Sequence, residues 1–291
     1  MERYQEPIHY QNERLGIKVR RFVDDSPPGP AANRWHYHPE VEFVALHEGG
    51  MTMRTPGREY RLAPGDVVVI GSSRLHLSRK SAEGALAYTV LHVDLQRYFD
   101  PAMMMYYRHF SELAHPLDDL NYVFGESAAA AGEAAAIIAK MLGEITDKPK
   151  GYEIAASMHV KHLLLTLLRH DRRELLQSNE FVDGDAMRPV LDYVNAHLAE
   201  RIEMDEVCRL ASMNYSAFSK SFKKALGVSF VNYVNRQRIR KAEQALVTGS
   251  ASVADIAAGV GIGNMAHFYE LFRRYNGCTP KEYKHRLLRT E

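Results

Sequence analysis

Between residues 15 and 98 the apolar positions fall in short runs rich in β-branched and aromatic side chains, among them Val41–Leu46, Asp66–Ile70 and Leu86–Leu95. Turn-forming residues separate the runs: Gly49-Gly50, Pro56-Gly57, Pro64-Gly65 and Gly71-Ser72-Ser73. Strands of this length and spacing predict an antiparallel sandwich or barrel. From about Pro101 the period lengthens to that of a helix. Ala128–Ile145 groups Ile137, Ile138, Met141 and Leu142, and Ile154–Leu168 sets Met158, His162, Leu165 and Leu168 at helical intervals. Both helices are expected to pack on the barrel or on a second subunit. A polar, aperiodic stretch at 179–187 reads as a linker. From Arg188 every element is helical, with Pro189 expected in a first turn and Val190, Val194 and Leu198 as an apolar stripe. The predicted class is α+β: an antiparallel β-barrel with trailing helices over 1–178, the linker, then an all-α domain over 188–291.

The all-α part is written twice. Asp205-Glu206-Val207-Cys208 leads to Phe218, Phe222-Lys223-Lys224 and Gly227; Asp255-Ile256-Ala257 leads to Phe268, Phe272-Arg273-Arg274 and Gly277. The copies sit 49 residues apart at Val207/Ile256 and 50 at Phe218/Phe268, so the second turn carries one extra residue. This is a duplicated helix-turn-helix, which offers two recognition helices on one body. Ser229–Val247 lacks Gly and Pro and should form the helix between them, spanning roughly 28 Å at 1.5 Å per residue. That approaches the ~34 Å repeat of successive major-groove faces. Ser252-Val253-Ala254-Asp255 and Thr279-Pro280-Lys281-Glu282 have capping-box spacing.

Phe218 and Phe222, four apart, should face inward and leave the other side of their helix to DNA. Ser216, Ser219 and Lys220 are the base-edge candidates, lysine for guanine acceptors and serine for several bases. Lys223, Lys224, Arg236 and Arg240 suit phosphates, which fix register without reading sequence. In the second copy Met265, Ala266, His267 and Glu270 take the exposed positions, with Arg273 and Arg274 behind them. Glu270 stands where the first copy has Lys220. It either accepts from a cytosine amino group or is repelled by phosphates, which makes this the weaker reader.

Charge sharpens the division. The whole chain carries only +1, but residues 187–291 hold 16 Lys+Arg against 10 Asp+Glu and the remainder 21 against 26. A basic C-terminal part suits a nucleic-acid reader. Two isolated cysteines, Cys208 (expected packed inside its motif) and Cys278, give neither a disulfide framework nor a zinc motif. The polar start and the lack of any long apolar run predict a soluble, cytoplasmic protein with no membrane contact.

Residues 188–289 resemble the DNA-binding domain of AraC/XylS-type transcription regulators. The matching positions are Phe222-Lys223-Lys224 with Gly227, Tyr233, Arg238-Ile239 with Ala242, Asp255-Ile256-Ala257 with Val260-Gly261, and Phe272-Arg273-Arg274 with Gly277, Thr279-Pro280 and Tyr283. Cys208, Ile262 and Glu270 depart from the pattern. The resemblance implies double-stranded DNA, RNA polymerase and a second copy of the chain as partners.

His36, His38 and Glu42 before Gly49, then Pro64-Gly65-Asp66 and His76, resemble the two cupin motifs, with Gly71 in place of a proline and Ser73 in place of a glycine. The resemblance implies a three-histidine, one-carboxylate set able to hold a divalent transition ion such as Zn, Ni, Mn or Fe. It equally implies an effector pocket, often a sugar pocket, in which these side chains bond hydroxyls; structural histidines are a third reading. The combined expectation is a non-enzymatic, sequence-specific DNA-binding regulator that responds to a small molecule, expected to be a carbohydrate, bound in the N-terminal barrel. The rivals are a metal-dependent cupin enzyme and an effector-independent DNA-binding protein.

Overall fold

The computed structural model describes residues 4–26, 34–178, 184–248 and 251–289. Its contacts divide the chain into two units: Met1–Tyr98 with His109–Gln177, and Phe99–Arg108 with Ser178–Glu291. The short segment Phe99–Arg108 thus goes with the second unit, although the sequence reading assigned it to the first.

In the first unit β1 (Tyr4–Gln5) pairs in parallel with β3 (His36–Tyr37). A four-stranded antiparallel sheet has the order β2 (Ile17–Asp24), β9 (Leu86–Val93), β4 (Val41–Glu48), β7 (Val67–Ile70). A three-stranded sheet runs β6 (Arg58–Leu62), β5 (Met51–Thr55), β8 (Leu77–Lys80). The expected turns fall between these strands. Successive side chains alternate faces, so Val44, Leu46, Val68, Ile70 and Val90 meet Met51, Met53 and Leu62 in an inter-sheet core. On the other face Ile17, Val19, Phe43 and Leu91 are buried as well. After the short α2 (Tyr107–Phe110) and α3 (Asn121–Glu126), helix α4 (Ala128–Asp147) lies against this sheet, touching β2, β4, β7 and β9.

The strands do not close into the expected barrel; among the described residues they remain separate sheets. One reason is visible at β7. The amide of Val69 donates to Asn121 Oδ1 at 2.7 Å and its carbonyl accepts from Asn121 Nδ2 at 2.8 Å, so a side chain satisfies that edge in place of a strand.

Helix α5 (Tyr152–Arg169) corrects a second expectation. It packs on α4 through Ala156, Val160, Leu163, Leu164 and Leu167, whereas Ile154 and Met158 are 70% and 62% exposed. Both faces of this helix are apolar enough to read as core, and the partner helix chose between them.

The second unit includes the short α1 (Pro101–Met104) and seven further helices: α6 (Gly184–Ala196), α7 (Met204–Leu210), α8 (Tyr215–Leu226), α9 (Phe230–Thr248), α10 (Val253–Gly259), α11 (Met265–Asn276) and α12 (Pro280–Arg289). Of the expected linker, residues 179–183 lie outside the described residues and 184–187 are helical. Pro189 therefore sits inside α6, not in its first turn, and the bond its missing amide would give Asp185 is absent. Val190, Val194 and Leu198 are buried as expected.

The repeat extends to the caps. Asn214 caps α8 by accepting from Ala217 N at 2.9 Å, and Asn264 caps α11 by accepting from His267 N at 3.0 Å. Gly227 and Gly277 close the two helices with φ of 75° and 65°. Two cores share α9. Phe218, Phe222, Phe230 and Tyr233 form an aromatic cluster in the first half. Ile239, Ala242 and Leu246 join Ile256, Phe268 and Phe272 in the second. Gly261 has no substitute: its φ is 80° and a Cβ would stand 2.7 Å from the Ala199 carbonyl oxygen. Cys208, expected to be packed, is only half-buried, while Cys278 is buried.

Candidate functional sites

Phe218 and Phe222 are fully buried, which turns the opposite face of α8 to solvent. Ser216, Ser219, Lys220, Lys223 and Lys224 are all exposed there. On α11, Phe268 and Phe272 are buried in the same way; Ala266, His267, Glu270, Arg273 and Arg274 are exposed and Met265 is half-buried against the core. The exposed sets differ in pairing. Glu270 accepts from Arg274 at 2.7 Å and lies 3.9 Å from His267 Nδ1, so α11 offsets much of its own charge.

Arg236 and Arg240 on α9 are half-buried. Arg236 lies 3.9 Å from Glu243 and stacks over Tyr275, while Asn276 also bonds Glu243 at 2.8 Å. Arg236 thus stitches α9 to α11 in the free protein. Arg238, one of the positions that match the family pattern, donates to the carbonyls of Leu198 and Glu200 at 2.9 and 2.6 Å and anchors the chain between α6 and α7, a role its sequence position did not reveal.

In the first unit β3, β4 and the turn before β8 bring His36, His38, Glu42 and His76 together. One ligand atom from each lies within 4.8 Å of the others. Backbone pairing sets two of them: His36 N donates to His76 O at 2.9 Å and His76 N to His36 O at 2.8 Å. Of the two departures from the cupin pattern, Gly71 has a local cause and Ser73 has none in the structure. A Cβ at Gly71 would stand 1.9 Å from Glu112 Oε1, and Ser73 adopts φ 60°, the left-handed conformation for which glycine is the usual choice.

The hydrogen bonds fix the tautomers. His36 Nδ1 lies 3.0 Å from the Arg34 carbonyl, His38 Nδ1 3.1 Å from that of Glu40, and His76 Nδ1 2.8 Å from that of Arg74. A carbonyl only accepts, so each Nδ1 carries a hydrogen, and in the neutral form of each ring Nε2 is the bare nitrogen. His38 Nε2 is 3.2 Å and His76 Nε2 3.5 Å from Glu42 Oε2. The buried centre is therefore lined by acceptors, and His76 Nε2 has no hydrogen-bond partner. Such a set requires a cation or a proton.

Ionisation follows the same geometry. Burial pushes His36 down to about 4, aided by His76. Burial also lowers His38 against the pull of Glu42. Burial alone would raise Glu42 and lower His76. Their mutual attraction, reinforced at Glu42 by His38 and His92, outweighs it, holding Glu42 well below the carboxylate range and His76 above the ordinary histidine value.

Two neighbours were missed. His92 on β9 lies directly across from Glu42 in register, with Nε2 3.0 Å from Glu42 Oε2. Its polar ring on the inward phase of an otherwise apolar strand, in step with Val90 and Tyr88, was the available signal. Glu40, buried behind His38, accepts from Tyr10 OH, and its Oε2 makes no hydrogen bond but lies 3.6 Å from His38 Nδ1. Beside the cluster opens a cavity of about 150 Å³.

A cavity-bearing β domain with a buried histidine–carboxylate set and a separate unit with two helix-turn-helix motifs define a DNA-binding protein with a cupin domain. Residues 207–286 match the family described as helix-turn-helix domain, and residues 22–92 match the cupin domain. The chain is an AraC-type DNA-binding transcription regulator.

The Bacillus subtilis HTH-type transcriptional regulator YdeC is 22% identical over 253 residues, which cover 86% of this chain and 85% of YdeC. The Salmonella typhimurium regulatory protein PocR is 33% identical over 101 residues, covering 35% of this chain and 33% of PocR. The chain thus spans about a third of PocR's length. Among solved structures, ToxT from Vibrio cholerae O395 is 12% identical with a TM-score of 0.41, covering 94% of this chain and 99% of ToxT. No helix of the described residues is long and apolar enough to cross a membrane.

Proposed function

We propose that the regulator responds to a small molecule bound in the cupin cavity, and that His36, His38, Glu42 and His76 hold a divalent transition ion beside it. The observation that carries the reading is the convergence of bare imidazole nitrogens and a carboxylate oxygen on one buried point, with His76 Nε2 unpartnered. An ion there supplies a Lewis-acidic point for an effector oxygen; the chain's own groups orient it. The carbonyls of Arg34, Glu40 and Arg74 fix the three rings, and Glu40 backs His38. The three-histidine, one-carboxylate set also fits a cupin enzyme, but the helix-turn-helix pair supports regulation, and no enzymatic role is assigned to the cluster. A carbohydrate effector remains the competing ligand class.

Base reading is assigned to Ser216, Ser219 and Lys220 and phosphate contact to Lys223, Lys224, Arg273 and Arg274. Effector binding would act by shifting the population of DNA-competent states. A homodimer through the exposed Ile154 and Met158 of α5, recruitment of RNA polymerase and a cytoplasmic location complete the proposal.

Elemental analysis of the purified full chain, paired with operator-binding curves, tests it. Near-stoichiometric metal, lost in His38→Ala while operator binding persists, is expected. Metal-free wild-type protein with an unchanged response in His38→Ala would leave the histidines structural.

A further inference from the structure

We infer that the cupin cavity takes a small monocarboxylate with a short apolar tail, its head held between the cation of the histidine–Glu42 cluster and Lys18. The inference rests on the cation reading above and narrows the ligand class. Lys18 on β2, His92 on β9 and Glu42 on β4 occupy one cross-strand row, because Lys18 pairs in register with His92 and His92 with Glu42. All three line the cavity. Adjacent strands lie about 4.8 Å apart, so Lys18 stands roughly 10 Å from Glu42 along the row. A carboxylate with one oxygen toward the cluster could turn the other toward the reach of the lysine stem.

Charge points to an anion. The lining holds one lysine or arginine, Lys18, and two carboxylates, Glu6 and Glu42. Lys18 is only loosely paired, 3.8 Å from Glu6 Oε1, and the other oxygen of Glu6 lies 3.3 Å from His36 Nε2. A divalent ion among neutral imidazoles leaves one positive charge uncompensated in this lining. Burying an unpaired charge is costly, and a monoanion removes it.

Shape and polarity narrow the rest of the ligand. Away from the row and from Glu6 and His36 beside it, the wall is largely apolar, formed by Phe22, Val44, Met51, Met53 and Val90, and the lining hydroxyls are those of Ser78 and Tyr88. A sugar, with a hydroxyl on nearly every carbon, would bury several of them unpaired against this wall. A short hydrocarbon tail fits it. The cavity of about 150 Å³ is about five times a water's share of the liquid, below the ~300 Å³ at which drug-sized pockets begin. That is room for a carboxylate and a few carbons.

The test uses the full-length protein loaded with Co²⁺, whose absorption reports its ligands. Butyrate, its neutral isostere butyramide and L-arabinose are titrated against cobalt absorption and thermal midpoint. Butyrate should perturb the cobalt spectrum and raise the midpoint, with butyramide and arabinose at least tenfold weaker. Lys18→Met should keep cobalt and lose butyrate affinity at least tenfold. Should that variant fail to fold, Met53→Trp, which fills the cavity, should likewise keep cobalt and lose butyrate. Equal responses to butyrate and butyramide, a stronger response to arabinose, or undiminished butyrate binding in the variant that folds would overturn the carboxylate assignment. Cobalt bound with butyrate silent also overturns it while leaving the cation reading intact; failure to bind cobalt sinks both.

Discussion

The histidine–carboxylate cluster of the first unit and the lysine-bearing face of α8 in the second both concentrate charge, but one is largely buried and the other is bathed in solvent. In the cluster every group is held by another: Glu42 faces three imidazoles, and each metal-set ring is tied by Nδ1 to a carbonyl. Removing one member strands the rest in a medium that punishes unpaired charge. On α8 Lys220 and Lys223 project into water, where their removal costs the fold little and the charge is available to a polyanion. The lesson is that the buried set constrains stability and ligand at once, whereas the exposed set is free to specialise. α11 illustrates that freedom, having the same scaffold as α8 but a carboxylate at the position of Lys220.

The largest expected effect is on folding. Glu42→Ala should destabilise the cupin unit by about 3–5 kcal/mol, the cost of leaving a buried pair half-removed. Lys220→Ala should stay within about 0.5 kcal/mol of wild type. Urea denaturation of both variants checks this, and comparable losses would erase the contrast.

The second prediction is the response of the metal-free protein to pH. His36 and His38 titrate lower in the fold than in the unfolded chain, where the ordinary value is 6.5. The unfolded state therefore binds more protons below that pH, and stability falls from about pH 6.5 toward 4, where His36 titrates. The lowered Glu42 adds stability above its unfolded value of 4.5 that is lost on further acidification. His76 opposes the trend: its raised value stabilises below 6.5 and fades as pH rises through it. With these signs, the thermal midpoint should drop between pH 6.5 and 4, and His36→Gln should flatten the drop. An unchanged profile in that variant would place the titration elsewhere.

Third, Lys220→Ala should cost about 1–3 kcal/mol on the operator and relax preference at one base pair. Lys224→Ala should weaken all sequences alike and reduce the salt slope by about 1. Identical losses for Lys220→Ala on operator and scrambled duplex would remove it from base reading.

The smallest effect is expected at Glu270. Because it pairs with Arg274 at 2.7 Å, Glu270→Ala should both delete a repulsive charge and release a cation, strengthening binding to any DNA a few-fold. Binding curves on operator and scrambled duplex decide it; weakening confined to the operator would mean that Glu270 reads a base.

The amino-acid sequence by itself determined the elements and the repeat, because turns, caps and helical periodicity are local. Pro56-Gly57, the Asn214 and Asn264 caps and the buried pairs Phe218/Phe222 and Phe268/Phe272 follow from residues a few positions apart. It also placed His36, His38, Glu42 and His76, whose spacing follows a recognisable motif. Only the tertiary structure decided what depends on partners distant in sequence. The register of β9 on β4 brought His92 to Glu42, and Asn121 capped an edge of β7 where a barrel would have needed a strand. Packing on α4 chose which apolar face of α5 to bury. The contact of Tyr107 OH with Tyr233 OH, 3.2 Å apart and both buried, helps to hold Phe99–Arg108 in the second unit. Such choices turn on which surfaces exclude water together, and a pattern along one strand or helix carries no record of its neighbour.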